Sequence, residues 1–308
     1  MSPYRPSQSP QHEEAARLCR MALTPALGAM DSIVKKSILS PLCRALNKRL
    51  SKAFSKMHLG AYMEDASHEG SFVQSHLALL YDRIATNHLA KLPAEYGAIV
   101  ATTVGAYSMY AFVSNLALVR PLEEMGRLKI TQDLADLELS LEQLVLATGS
   151  SGLSGITGGS STLSQIEGGK PYLEFRAVRS MLFWTGLDQD KTKSPQDIAT
   201  DLLMEDWLKD VRPSTILNFL FSLAPDLLSS PHHSKRMSAQ EYVNTLVKYD
   251  GSVEDGEANA WMTTMACCDA YQQRESLEGI TLSSYTGDRR IAAILMALGS
   301  ELLRRRRN

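Results

Sequence analysis

The stretch that decides the fold class runs from Ile130 to Leu144 and reads ITQDLADLELSLEQL. Its apolar stripe recurs every three or four positions, at Ile130, Leu134, Leu137, Leu141 and Leu144, while the acidic residues lie off that stripe. This spacing follows the 3.6-residue period of an α-helix, and it predicts a helix with one buried face.

Three other segments repeat this period, and strand-like alternation is hard to find. The apolar sets are Val73, Leu77, Leu80 and Ile84; Ala258, Trp261, Met265 and Cys268; and Ile291, Leu295, Leu298 and Leu302. Helix start signals agree with the period. Ser194 precedes Pro195 and Asp197, and Ser238 precedes Glu241 in a capping-box pattern. The sequence therefore predicts an all-α fold.

A Gly/Ser-rich tract interrupts the helical pattern. Residues 149–169 read GSSGLSGITGGSSTLSQIEGG, a composition that buries little apolar surface and predicts a flexible insertion. The tract divides the chain into a first helical bundle at 11–148 and a second at 170–303. We expect a disordered N-terminal tail at 1–10 and a basic tail at 304–308.

Charge is distributed unevenly along the 308 residues, although the formal net charge is only −2. Residues 1–63 carry ten Lys/Arg and three Asp/Glu, whereas residues 64–308 carry 22 and 31. This balance argues against wholesale nucleic-acid binding, and we expect no nucleic-acid partner. The four cysteines, at 19, 43, 267 and 268, lack metal-ligand spacing and indicate reduced thiols in a cytosolic setting.

The usual catalytic patterns are missing from the sequence. It contains no phosphate loop, no G-x-S-x-G elbow and no H-E-x-x-H motif. The adjacent His232 and His233 fall in a segment expected to be a solvated loop, where neighbouring side chains point apart and make a poor metal pair. We therefore predict no enzyme activity, no cofactor, no metal and no catalytic residue.

A basic segment is the better candidate for binding. Residues 32–63 carry seven basic residues and no acidic one. Within 42–57 one face is apolar, and basic residues recur every four positions at Arg44, Lys48, Lys52 and Lys56. Such a helix is typical of an anionic membrane surface or an acidic partner. The alternative is a bundle helix whose apolar face is core and whose basic residues are solvated.

An uncharged run of 24 residues, 96–119, is long enough to span a membrane. Its hydropathy is marginal because polar residues such as Thr102, Thr103 and Asn115 interrupt it. A buried central helix and a transmembrane span both remain open.

Several blocks of the sequence resemble one known family in their order and approximate spacing. They are Val119-Arg120-Pro121-Leu122 followed by Glu124 and Gly126-Arg127; Phe175 to Phe183; Pro213-Ser214 followed by Phe219-Leu220-Phe221 and Ala224-Pro225; and Trp261 with Ala270-Tyr271. These blocks are similar to the family of conserved oligomeric Golgi complex subunit 5.

The resemblance implies an elongated stack of helical bundles with no catalytic residues to carry over. It further implies a non-catalytic subunit of a vesicle-tethering complex that acts in retrograde transport within the Golgi, at the cytosolic face of Golgi membranes. The implied partners are other subunits, especially subunit 7 and its lobe with subunits 6 and 8, together with SNAREs and Golgi small GTPases. The alternative function is a membrane-anchored or membrane-surface helical adaptor that uses residues 96–119 or the basic helix 42–57.

Overall fold

The structure is a computed structural model that describes residues 10–62, 70–149, 162–184, 193–224, 228–277 and 288–307. In these ranges the regular structure is helical and no strand occurs, which confirms the all-α prediction. The chain divides into two compact units, Met1–Leu42 and Cys43–Asn308.

The first unit is built on one long helix. Helix α1 spans Pro10–Val34 and continues into a π-helical turn at Lys35–Leu39. Intrahelical ion pairs join Arg17 to Glu14 and Lys35 to Asp31, each at 2.7 Å. Every residue from 13 to 30 is exposed, so the apolar side chains of α1 form no core within the first unit.

The second unit contains the remaining helices. In chain order they are α2 (Ser40–Phe54, whose first turn lies in the first unit), α3 (Phe72–His76), α4 (Ala78–Asn87), α5 (Ala94–Leu116), α6 (Glu124–Leu146), α7 (Lys170–Leu182), α8 (Pro195–Met204), α9 (Pro213–Ser222), α10 (Pro231–Ser234), α11 (Ala239–Leu246), α12 (Glu254–Leu277) and α13 (Asp288–Arg307). Single turns of 3-10 helix occur at Ser55–His58, Leu89–Lys91 and Asp206–Asp210.

Helix α5 is the centre of the second unit. It packs against α6, α7, α9 and α11, and its residues Val100, Val104 and Tyr107 have no exposed surface. A helix that is apolar around its whole circumference needs neighbours on every side. The uncharged run at 96–119 is therefore packed as a core helix over Ala94–Leu116.

Helix α6 has the buried face that its sequence predicts. Ile130, Leu134, Leu137 and Leu141 have no exposed surface, and Leu144 is 2% exposed. The predicted helix starts are also confirmed. Capping boxes form at the starts of α8 and α11, where each N-cap serine and the acidic residue three positions later exchange hydrogen bonds with the backbone.

The Gly/Ser-rich tract differs from the prediction in its last third. Thr162–Gly169 is an ordered segment of 3-10 helical turns interrupted by a kink at Ile166, Glu167 and Gly168, and Leu163 and Ile166 are buried. The physical reason is tertiary packing, since this segment packs against α5 and α7 even though its composition is that of a linker. Residues 150–161 lie outside the described residues.

The predicted division into bundles at 11–148 and 170–303 stays a prediction, because part of the tract between them is not described. Helices from both sides of the tract share one core, however, since α5 and α6 each pack against α7. At the chain ends, the expected tail at 1–10 lies outside the described residues except for Pro10, the first residue of α1. The expected basic tail at 304–308 is helical through Arg307, where α13 ends.

Candidate interaction surfaces

Helix α2 carries the basic residues that the sequence singles out, and two long-range hydrogen bonds hold it in place. Asn47 Nδ2 donates to the carbonyl oxygen of Tyr249 at 2.6 Å, and Ser51 Oγ donates to Asn244 Oδ1 at 2.9 Å. The apolar face of the helix is buried along Leu46, Leu50, Ala53 and Phe54. Because this face is core, the opposite face of α2 is fixed towards solvent.

That opposite face is the basic face, which we define as Arg44, Lys48, Lys52 and Lys56. All four side chains are exposed. Within the described part of the chain none of them forms an ion pair or a side-chain hydrogen bond. The structure thus places the four predicted contact residues together on one accessible surface, and their role stays a prediction.

A second surface, on α1, was not singled out by the sequence reasoning. The apolar face of α1, which we define as Leu23, Leu27, Met30 and Ile33, follows helical spacing, and its members are 58–64% exposed. Single exposed apolar residues are ordinary, but a row of them along one helix face marks an interaction site. The spacing of four, three and three was available in the sequence as a signal.

Helix α5 is the one helix among the described residues that is long and apolar enough to cross a membrane, judged by length and composition. Its mean hydropathy over the best 18-residue window is 1.3, and 78% of that window is buried inside the protein. Core helices of soluble proteins pass the same test, so α5 is weak evidence for a membrane span.

Three histidines and one arginine lie around a cavity of about 220 Å³ in the second unit. His58 Nε2 lies 3.0 Å from Asn115 Oδ1. The amide of Asn115 donates to the carbonyl oxygen of Ala111, so Oδ1 is an acceptor and His58 Nε2 carries the proton. Arg120 Nη2 donates to the carbonyl oxygens of Phe221, Ala224 and Leu228.

The expected solvated loop at His232 and His233 is wrong in part, because both residues lie in the short helix α10 and His232 is buried. The two rings are 4.1 Å apart between centroids, and Ser230 Oγ lies 2.7 Å from His232 Nδ1. Burial lowers the pKa of His232 to about 4, with a smaller contribution from the neighbouring His233, His58 and Arg120. Burial likewise lowers the pKa of His58.

The buried carboxylate of Asp133 is held by hydrogen bonds from neighbouring segments. Asp133 accepts hydrogen bonds from Tyr62, Ser71 and the backbone of Val73. Burial raises the pKa of Asp133, and those hydrogen bonds offset part of the shift. Within the described residues, no group of three or more His, Cys, Asp or Glu side chains is arranged to hold a metal ion.

These features define an all-α protein in which the basic face of α2 and the apolar face of α1 are exposed. The chain is similar to conserved oligomeric Golgi complex subunit 5 of Arabidopsis thaliana, with 25% identity over 263 residues. The alignment covers 81% of this chain and 27% of the relative. The resemblance inferred from the sequence blocks is thereby confirmed. No protein-family model matches the chain, and no solved structure matches it.

Proposed function

We propose that this chain is a non-catalytic subunit of a Golgi vesicle-tethering complex that acts in retrograde transport within the Golgi. The supporting observation is the similarity to conserved oligomeric Golgi complex subunit 5, which extends over 81% of the chain. Because the chain spans about 27% of that relative, the activity of the whole relative is carried over only as part of this proposal.

The proposed partners are other subunits of the conserved oligomeric Golgi complex, above all subunit 7 and its lobe with subunits 6 and 8. SNAREs and Golgi small GTPases are further partners in this proposal. The proposed location is the cytosolic face of Golgi membranes, where the chain is held peripherally through its neighbours.

The apolar face of α1 is the surface that we assign to subunit contact. Leu23, Leu27 and Met30 are each more than half exposed. An amphipathic helix buries such a face against another helix. We therefore assign a helix of another subunit, with its own apolar stripe, as the occupant of this face.

The test is pairwise reconstitution of this chain with purified subunits 6, 7 and 8. We expect one of them, subunit 7 first, to elute together with this chain in size-exclusion chromatography. Leu23→Glu with Leu27→Glu should abolish that co-elution, because two carboxylates would have to be buried unpaired in the contact.

A matched control places the same two charges on the polar face of α1. Thr24→Glu with Gly28→Glu has the same spacing, and a side chain at residue 28 meets nothing within 4 Å. This variant should still bind. Failure of all three subunits to bind, or equal loss in both variants, contradicts the proposal, and concentration-dependent self-association would assign the face to a second copy.

A second candidate function, a membrane-surface adaptor, is favoured by the basic face of α2. Each basic residue near an anionic bilayer contributes about 1 kcal/mol, so three lysines give a preference of roughly a hundredfold over a neutral bilayer. Lys48→Gln with Lys52→Gln and Lys56→Gln should remove that preference in liposome flotation. Equal flotation of wild type and variant would leave the basic face without a membrane role.

The alternative of a membrane-anchored adaptor, in which residues 96–119 span the bilayer, needs a separate test. An alkaline carbonate wash of membranes releases peripheral proteins and leaves transmembrane proteins behind. We expect release, because α5 is packed by other helices along most of its length. Retention in the pellet would contradict the packing described above.

A further inference from the structure

The cavity beside α10 is lined by three separate segments of the second unit. The end of α2 and the turn after it contribute His58 and Tyr62, and the segment after α5 contributes Arg120 and Pro121. Helix α10 contributes His232 and His233. At about 220 Å³ the cavity is smaller than pockets for drug-sized ligands, and its size suits a single small polar group.

The lining carries one fixed positive charge, that of Arg120, and burial favours the neutral form of His58 and His232. None of the lining residues is acidic, and they include one guanidinium and three imidazoles. Burial is the main reason that the pKa of His232 is lowered, and the nearby Arg120 guanidinium opposes its protonation further. The carboxylate of Asp133 lies one hydrogen bond behind Tyr62, where it is already bonded to Ser71 and the backbone of Val73.

Three exposed basic residues lie close to the lining along the chain. Lys56 precedes His58 by two residues, and Lys235 and Arg236 follow His233 by two and three. His233 is exposed as well, whereas the neighbouring His232 is 7% exposed. The cationic lining is therefore reached from solvent at its His233 side.

We propose that this cavity binds the phosphate monoester of a phosphorylated inositol lipid, with His58, Arg120 and His233 around the phosphate. A phosphate monoester carries about −1.5 to −2 charges near neutral pH and three acceptor oxygens, whereas the phosphodiester of an ordinary lipid carries one charge. A cluster of imidazoles beside a fixed guanidinium charge suits the more highly charged group.

A lipid is favoured over a phosphopeptide because of the surroundings of the cavity. Lys56 is shared with the basic face of α2, and α2 is hydrogen-bonded to α11, the helix that follows the α10 segment. An anionic bilayer that contacts the basic face at Lys56 is therefore brought within two residues of His58, which lines the cavity. The inference does not depend on assembly with other subunits.

The experiment is flotation of the whole chain with two sets of vesicles that share a neutral carrier lipid and have equal negative surface charge. One set contains phosphatidylinositol monophosphate and the other contains phosphatidylserine. We expect about tenfold stronger binding to the phosphoinositide, since hydrogen bonds to a charged group are worth roughly that factor. Free inositol monophosphate should compete for the phosphoinositide vesicles, which would show that the headgroup alone is recognised.

Two variants test the cavity itself. His233→Ala removes an exposed imidazole, and Ala239→Leu adds bulk to the lining without removing a charge. Both should remove the phosphoinositide preference and leave phosphatidylserine binding as it was. His88→Ala, at a histidine that does not line this cavity, is the matched control and should keep the preference.

A further variant distinguishes specific binding at the cavity from the attraction of the basic face to any anionic vesicle. Lys48→Gln with Lys52→Gln should weaken binding to both vesicle sets by the same factor. Equal binding of wild type to both lipids, or an unchanged preference in His233→Ala and Ala239→Leu, would overturn the proposal. Tighter capture of a soluble phosphopeptide than of the vesicles would assign the cavity to a phosphoprotein and would equally overturn it.

Discussion

Nε of Arg212 donates a hydrogen bond to Oε2 of Glu174 at 2.7 Å, and the two side chains are only 11% and 2% exposed. Glu174 also accepts from Thr215 Oγ1 at 2.7 Å, and Arg212 Nη2 donates to Ser114 Oγ at 2.9 Å. The guanidinium carbon lies 4.9 Å from the ring centroid of Tyr110. One buried ion pair therefore joins α5, α7 and the start of α9.

Removal of one partner from this pair should be strongly destabilising. Glu174→Ala leaves the Arg212 charge buried without its carboxylate, and we expect a loss of about 3 to 5 kcal/mol in the free energy of unfolding. Urea denaturation followed by circular dichroism measures it. The control is Asp206→Ala, at an exposed ion pair with Lys209 at 3.9 Å, which should cost less than about 1 kcal/mol. Similar losses in both variants would contradict this account of the buried pair.

His232 should make the stability depend on pH. Its pKa is lowered to about 4 from an ordinary value of 6.5, chiefly by burial. Between these values the unfolded state binds the proton and the folded state does not, so the free energy of unfolding falls as the pH is lowered from 6.5 towards 4. The loss from this one group is up to about 3 kcal/mol across the window.

His232→Asn keeps a polar atom near Ser230 but does not titrate. Urea denaturation at about pH 7 and pH 5 should show a smaller acid-induced loss in the variant than in the wild type. His58, whose pKa is also lowered, is present in both proteins, and its contribution to the lowered pKa of His232 is part of the difference that the comparison measures. Parallel pH profiles would show that His232 is not buried in its neutral form.

Two helical glycines should respond in opposite directions to alanine. A Cβ at Gly126 would lie 2.7 Å from the carbonyl oxygen of Tyr62, so Gly126→Ala forces a backbone shift and should cost about 1 to 3 kcal/mol. A Cβ at Gly97 meets its nearest atoms at 3.7 Å, an ordinary contact. Gly97→Ala should therefore stabilise by about 0.5 to 1 kcal/mol through helix propensity. Thermal unfolding measures both, and a stabilising Gly126→Ala would mean that α6 is not packed this closely on Tyr62.

The last part of the Gly/Ser-rich tract should behave as core. Ile166 is 2% exposed, and its Cδ1 lies 3.1 Å from the position that a Cβ at Gly105 would take. Ile166→Ala should cost about 2 to 5 kcal/mol because it leaves a cavity. Leu139→Ala, on the exposed side of α6, is the control and should cost well under 1 kcal/mol. If Ile166→Ala left the free energy of unfolding unchanged, the prediction of a flexible linker would hold for this segment.

The sequence predicted what depends on local spacing. The stripe of α6 and the capping boxes at Ser194 and Ser238 follow from residues three or four positions apart, and the structure confirms them. The basic face of α2 could be located in the same way, because Lys48 and Lys52 are one turn apart. The apolar face of α1 had an equally local signal.

Contacts between distant segments were beyond that reasoning. Glu174 and Arg212 are 38 residues apart, and nothing in the sequence near either residue indicates its partner. His58 and His232 line one cavity only because the segments after α2 and at α10 meet in the fold. Ile166 was hidden by its neighbours, since a composition rich in glycine and serine masks one well-packed apolar side chain.

The hydrogen bond from Asn47 to the carbonyl oxygen of Tyr249 spans 202 residues, and this distance has a consequence for synthesis on the ribosome. The ribosome adds about 5 to 20 residues per second, so α2 waits roughly 10 to 40 s for α11. Throughout that interval the side chains of Asn47 and Ser51 lack the partners that they bond in the folded protein. The attachment of α2 to the rest of the second unit is therefore completed only after the segment that ends at Tyr249 has been made.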